Sequence, residues 1–227
     1  KISGKDLYAI TPSGVDYKKM KPEDVVILDF DGEIVDGRKK PSTEKHLHRY
    51  LYKNREDIKG IVHTHSIYAS AMAAARKPIP GAMEDLVQIV GGSVDVAEYD
   101  LPGSEDVAQN AVEALGEKDG VLLSNHGVVG VSNNLPDALK VCQIIEKSAQ
   151  MAALLEVSGT PKPGNVHRNQ DFPDTKYEQF LASSLALGKT MRKAARKGIE
   201  ISEGKIKASN SELGTLIKEG IENTQNS

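Results

Sequence analysis

The sequence predicts an α/β domain built around a mixed β-sheet and followed by a helical segment. Short runs of Val, Ile and Leu recur between stretches that carry apolar residues at three- and four-residue steps. Strands alternating with helices in this way are typical of α/β folds. The pair Asp31-Gly32 between two apolar runs is a strong hairpin signal, so antiparallel pairing is expected beside the parallel strands.

The early part of the chain is predicted to form three strands and one helix. These strands cover 7–11, 25–30 and 33–35. Turn residues separate the strands, and Ser42 or Thr43 is expected to cap a helix that runs to about Asn54.

Strands and helices then alternate as far as about residue 155. The predictions are a strand over 60–64, a helix over 66–76, a strand over 94–98, a helix over 104–115 and a strand over 120–124. Leu135 opens a long amphipathic helix, and the stretch 159–165, with two prolines and two glycines, is a break. We therefore expect one domain over 1–155 and a helical extension over 156–227.

Composition and charge narrow the function classes. The 29 basic and 32 acidic residues are well mixed and give a net charge of −3, so no nucleic-acid partner is expected. No apolar run approaches the ~20 residues of a membrane span, and no signal peptide opens the sequence. The single cysteine, Cys142, excludes an internal disulfide framework and suits a reducing cytoplasm.

Three histidines form the candidate functional site. His63 and His65 close the apolar run 60–65, and residues two apart in a strand point to the same side. His126 follows another strand-like run, 120–124, and Glu44 lies upstream. Three imidazole nitrogens and one carboxylate suit Zn²⁺, at ligand distances of ~2.0–2.1 Å. The alternative, that these are ordinary core or surface histidines, is weakened by the third histidine at a second strand end.

Four motifs, in this order and spacing, resemble the class II aldolase/adducin family. They are TPSG at 11–14, KPSTE at 40–44, HTH at 63–65 and NHG at 125–127. The resemblance covers residues 5–155 and implies a three-layer fold with a mixed central sheet. Enzymes of this family include zinc-dependent L-fuculose-1-phosphate aldolase and L-ribulose-5-phosphate 4-epimerase.

The resemblance also implies roles for individual residues. His63, His65 and His126 match the zinc ligands of the family, and Glu44 matches both a fourth ligand and the catalytic acid/base. The residues implied to hold the substrate phosphate are Ser13, Gly14, Ser42 and Thr43. A sugar phosphate is thus the expected substrate, and a homotetramer with active sites between subunits is the expected assembly.

Position 44 favours an aldolase, because the aldolases carry Glu there and the epimerases Asp. Segments 14–17 and 39–42 look more like the epimerases. The aldolase's presumed proton donor, a tyrosine, is missing from 80–86, so this role falls to Glu84 or Asp85. A non-catalytic, adducin-like interaction module would have lost metal ligands, whereas all three histidines are present.

Both ends of the sequence depart from the family. Members begin with a helix and a Gly-Asn-x-Ser phosphate loop, and this sequence starts just after that point, so weak or no activity is expected of the chain as given. Residues 148–227 resemble the beginning of triphosphoribosyl-dephospho-CoA synthase. That all-helical family transfers an ATP-derived triphosphoribosyl group to dephospho-CoA, and the partial match leads us to expect no such activity.

Overall fold

A computed structural model of the chain describes residues 1–158 and the short strands 201–202 and 205–206. The strands are β1 Leu7–Ile10, β2 Val26–Asp29, β3 Ile34–Asp36, β4 Gly60–Thr64, β5 Val96–Ala97, β6 Gly120–Leu123, β7 Gly127–Ser132, β8 Ile201–Ser202 and β9 Lys205–Ile206. The helices are α1 Lys45–Asn54, α2 Ile67–Ala74, α3 Glu84–Val90, α4 Glu105–Leu115 and α5 Leu135–Ser158.

The central sheet has four strands in the order β4-β7-β6-β5. β7 runs antiparallel to both β4 and β6, whereas β5 and β6 are parallel, so the predicted mixed sheet is confirmed. Alternate residues bury its two faces, as Val121 and Leu123 join one core cluster and Leu122 joins the other. Helices α1 and α4 line the first cluster and α2, α3 and α5 the second, which gives the three layers.

The early strands form a sheet of their own, whereas we expected their hairpin to belong to the central mixed sheet. β1, β2 and β3 pair antiparallel in that order, and Tyr8 and Leu28 bury their side chains in the same core cluster as Val121. The hairpin turn is longer than the predicted two residues, because residues 30–33 separate β2 from β3. The Asp29 carboxylate accepts backbone N–H groups from the turn, and Gly32 has a φ of 96°, which glycine tolerates.

Among the α-helices and strands of residues 1–158, two were not predicted from the sequence. β7 is a run of valines that extends directly from the NHG motif and fills the centre of the sheet. α3 is only 7 residues long, too short for a helical period to stand out, and it ends at Gly91 with a φ of 105°.

The break predicted at 159–165 and most of the helical extension lie outside the described residues. In the part of the extension that the structure describes, β8 and β9 pair antiparallel, with Ile201 opposite Ile206. These four residues differ from the helix that we predicted, which agrees with the preference of isoleucine for strands. Among the described helices, none is long and apolar enough to cross a membrane.

Candidate active site

The three predicted histidines meet at one end of the central sheet. His63 lies on β4, His65 directly follows it, and His126 lies in the turn between β6 and β7. The Nε2 atoms of His63 and His65 are 3.0 Å apart. Each pair of rings has a centroid distance of 4.8 Å, and one nitrogen from each ring lies within 4.8 Å of the others.

Hydrogen bonding and burial prepare these rings to act as ligands. His63 donates from Nδ1 to the carbonyl oxygen of Val128 at 3.0 Å, which leaves Nε2 with its lone pair towards the cluster. Burial, reinforced by His126, lowers the pKa of His63 to about 3. Burial also lowers the pKa of His126, with a contribution from His65. Both rings are therefore neutral near pH 7, the form that binds a metal ion.

The NHG turn allows this close approach. Asn125 has a φ of 56°, and His126 donates its backbone N–H to the Leu123 carbonyl at 3.0 Å. A Cβ on Gly127 would lie 2.5 Å from the Thr64 carbonyl oxygen and 2.8 Å from Cδ2 of His65. A glycine at this position is therefore required for β4 and its histidines to pack against β7.

The donor set fits a divalent cation. Among the described residues, Nδ1 of His126 and Oε2 of Glu44 are buried without a hydrogen-bond partner. Unpaired buried acceptors are costly, and a cation is one way to satisfy them. Burial also raises the pKa of Glu44. The cluster of mutually close ligand atoms contains the three histidines but not Glu44, so three imidazoles would hold the cation with positions left open.

Glu44 stands at the N-terminus of α1. It is the N-cap residue itself, so the expectation that Ser42 or Thr43 caps the helix was wrong. The reason is a local turn: Ser42 Oγ accepts the backbone N–H of Glu44 at 3.2 Å, and Ser42's carbonyl accepts that of Lys45 at 3.2 Å. This turn places the first residue of the helix at Lys45, two residues beyond Thr43.

The two segments predicted to bind phosphate lie side by side. Ser13 donates its backbone N–H to the Lys40 carbonyl at 2.9 Å, and Ser42 donates to the Thr11 carbonyl at 3.0 Å. Ser13 and Gly14 are exposed, as is Thr43, beside the first turn of α1. Exposed hydroxyls and backbone N–H groups next to a helix N-terminus are suited to an anion.

The two candidate proton donors occupy the first turn of α3. Asp85 forms an ion pair with Lys147 of α5, and Glu84 accepts a hydrogen bond from Nε2 of Gln88 at 2.8 Å. The structure does not bring either carboxylate into the histidine cluster of the same chain.

Sequence reasoning missed one carboxylate that contacts the first turn of α2, just after the histidine pair. Glu146 on α5 accepts the backbone N–H of Tyr68 at 2.9 Å and that of Ala69 at 2.8 Å. The partners lie 78 and 77 positions earlier in the sequence, so no local pattern could have revealed this contact.

Comparison with known proteins agrees with the fold. The sequence model of the family described as "Class II Aldolase and Adducin N-terminal domain" matches residues 1–153. The chain belongs to this family. It is accordingly an enzyme of the class II aldolase type.

Named relatives act on different sugar phosphates. A 5-deoxy-D-ribulose 1-phosphate aldolase of Bacillus thuringiensis is 42% identical over 156 residues, which cover 69% of this chain and 73% of the relative. An L-ribulose-5-phosphate 4-epimerase of Salmonella paratyphi B is 32% identical over 157 residues, which cover 64% of this chain and 69% of the relative. A solved L-fuculose 1-phosphate aldolase superposes with a TM-score of 0.68 at 34% identity, covering 78% of this chain and 79% of that one.

A second family model matches the C-terminal part of the chain. It is described as ATP:dephospho-CoA triphosphoribosyl transferase and matches residues 142–227. This confirms the resemblance seen in the sequence, and it begins inside α5. Most of the matched residues lie outside the described part of the structure.

Proposed function

We propose that the protein is a zinc-dependent aldolase that cleaves a ketose 1-phosphate, of the L-fuculose 1-phosphate kind, into dihydroxyacetone phosphate and an aldehyde. The observation that carries this proposal is the cluster of three imidazoles in a chain of the class II aldolase family. His63, His65 and His126 would hold a divalent cation, which would act as a Lewis acid and stabilise negative charge on substrate oxygens.

Residues of the chain carry out the proton transfers in this proposal. Glu44, whose pKa is raised by burial, removes the proton from the substrate's C4 hydroxyl. The C3–C4 bond then breaks, its electron pair stays on C3, and the aldehyde leaves. A proton returned to C3 completes dihydroxyacetone phosphate, and Glu84 or Asp85 is the proposed donor. Ser13, Gly14, Ser42 and Thr43 hold the phosphate.

The position of those two donors supports an assembly of subunits. Within one chain, Glu84 and Asp85 are held by α3 and α5 and do not join the histidine cluster. We therefore propose a homotetramer in which they act on a neighbouring subunit's site. A cytoplasmic location fits the free, buried thiol of Cys142, whose pKa burial raises to about 12.

The second candidate is 4-epimerisation of a pentulose 5-phosphate. The 32% identity to an epimerase supports it, as does the epimerase-like character of segments 14–17 and 39–42. Both reactions use the same metal ligands, so the metal site does not separate them. Glu44, in place of the epimerases' Asp, favours cleavage.

Metal analysis and product assays test the proposal. The purified protein is expected to bind one zinc ion per chain, and replacing both His63 and His65 with Ala should abolish binding. His46→Ala is the matched control, because His46 pairs with Glu105 and lies outside the cluster. Stoichiometric zinc in the double variant would place the metal elsewhere.

The assay should measure dihydroxyacetone phosphate released from the 1-phosphates of fuculose, ribulose, rhamnulose and 5-deoxyribulose, beside epimerisation of ribulose 5-phosphate. Weak cleavage of at least one ketose 1-phosphate is expected. Epimerisation alone would contradict the aldolase assignment. Neither activity in the zinc-loaded protein would favour an interaction module.

A further inference from the structure

The two histidines of the HTH motif are held by different means. His63 lies inside the β4–β7 ladder, opposite Val129, and its ring is bonded to the Val128 carbonyl. The ladder ends at Thr64, opposite Val128, so His65 lies one residue beyond the last pair and is exposed. Its position therefore depends on the chain that follows, which is the start of α2.

The start of α2 is stabilised by another helix. Ser66 is the N-cap residue, but its hydroxyl makes no capping bond and is buried without a partner among the described residues. The carboxylate of Glu146 accepts the N–H groups of Tyr68 and Ala69 instead, one with each oxygen. First-turn N–H groups have no partner within the helix, and negative charge is favourable beside them. Glu146 thus replaces the local cap.

The packing of α5 in the core fixes the position of Glu146. Ile145 and Ala149 on either side of Glu146 are 0% exposed, in the core cluster that also contains Ala69 of α2. One turn earlier, Sγ of Cys142 lies 3.4 Å from the carbonyl oxygen of Val62, the residue before His63. The helix therefore contacts the chain both before and after the histidine pair.

We propose that Glu146 is a positioning residue of the metal site, which fixes His65 by holding the first turn of α2. This inference rests on the proposed metal-dependent function. Groups that orient metal ligands through hydrogen bonds typically change metal affinity by about 10–100-fold when they are removed. Glu146 acts through the backbone rather than on the imidazole, and it contacts neither the metal nor the substrate.

Metal binding to the whole, metal-free chain tests the proposal without any sugar substrate. Zn²⁺ affinity is measured by competition with a chelator, and Co²⁺ is followed by its visible absorption, which reports ligand geometry. Glu146→Ala is expected to weaken binding by about 10–100-fold and to change the Co²⁺ spectrum. Glu146→Asp, which is too short to reach both N–H groups, should resemble it. Glu146→Gln keeps the length and one carbonyl acceptor, so it should recover part of the affinity.

Ser104→Ala is the matched control, because it removes another helix cap. Ser104 Oγ accepts the Val107 N–H at 3.1 Å at the start of α4, which packs on the opposite face of the sheet from α2. Such a loss lowers stability by about 0.5–2 kcal/mol. It should leave the metal affinity unchanged.

The outcomes separate this inference from the proposed function. Wild-type protein that binds neither metal overturns both. Wild-type binding that Glu146→Ala leaves unchanged overturns the positioning role alone, and so does equal weakening by Ser104→Ala, which would indicate a general effect of stability. If Glu146→Ala fails to fold, Glu146→Gln decides: wild-type affinity and an unchanged Co²⁺ spectrum in that variant overturn the proposal.

Discussion

The substitution Gly127→Ala should damage the histidine cluster without touching a ligand. The added Cβ would meet the Thr64 carbonyl oxygen at 2.5 Å, whereas contacts under 3.0 Å are essentially never seen for a real Cβ, so about 0.5 Å of movement is needed. The obstacle is backbone in a paired strand, and rotation of a side chain cannot remove it. The same Cβ would lie 2.8 Å from Cδ2 of His65 and 3.3 Å from Cε1 of His63.

The size of the effect follows from these contacts. Extra volume in a packed interior typically costs about 1–3 kcal/mol. In a chain of this length 1 kcal/mol corresponds to roughly 2–4 °C in Tm, so a decrease of about 2–12 °C is expected. Metal-ligand distances tolerate only about 0.2 Å of change. A shift of about 0.5 Å between β4 and β7 should therefore weaken metal binding more than it weakens the fold.

Thermal unfolding of the metal-free protein and Zn²⁺ competition titrations would measure the two effects. Gly60→Ala is the matched control, since its Cβ would lie 2.4 Å from backbone atoms of Asn134 at the opposite end of β4 from the histidines. It should lower Tm comparably and leave the metal affinity near that of the wild type. Wild-type affinity in Gly127→Ala, or equal loss of affinity in both variants, would refute the reasoning.

Three further results are expected. Glu44→Gln should reduce turnover by about 10²–10⁴-fold if Glu44 transfers the proton, and a smaller loss in the zinc-loaded variant would remove it from that role. Burial lowers the pKa of His48 from 6.5 to about 4, so the unfolded chain takes up a proton that the folded chain excludes. The free energy of unfolding should then fall as pH drops from 6.5 towards 4, by up to ~1.4 kcal/mol per pH unit. Urea titrations should show a flatter pH dependence of this free energy for His48→Gln than for the wild type. Parallel pH curves for the two proteins would contradict this. Arg55→Ala removes the guanidinium that bonds Asp57 at 2.7 Å and Asp119 at 3.1 Å. Unfolding in urea should therefore show that the free energy of unfolding is lower by about 3 kcal/mol. A decrease of less than about 1 kcal/mol would contradict this expectation.

Much of the fold could be predicted because its elements are marked locally. Alternating apolar residues and caps such as Ser104 located β4, α4 and β6 to within a residue or two. Strand partners were not predictable in the same way, since pairing depends on residues far apart in sequence. The separation of β1–β3 into their own sheet is one such result of long-range pairing. β7 was missed for another reason: it follows its turn so closely that its run of valines was not recognised as a strand.

In the candidate site, too, features marked by nearby residues were predictable, whereas contacts between distant residues were not. Spacing and strand period were enough to predict that His63, His65 and His126 meet, because each lies at or just after a strand end. The contact of Glu146 with α2 depends on how two helices pack across 77 or 78 positions. The role of Gly127 depends on the space that its missing Cβ leaves for the Thr64 carbonyl oxygen and the His65 ring. Neither has a signature within a short window of sequence.

Helix α5 has a practical consequence for dissecting the chain. The two family matches, 1–153 and 142–227, overlap on residues that form one continuous helix. In that overlap Cys142, Ile145 and Ala149 are buried against the central sheet and α2. A fragment starting at residue 142 would carry these apolar side chains into solvent, and a fragment ending at residue 141 would lack Glu146. An expression boundary placed after residue 158, where α5 ends, keeps the helix with the domain on which it packs.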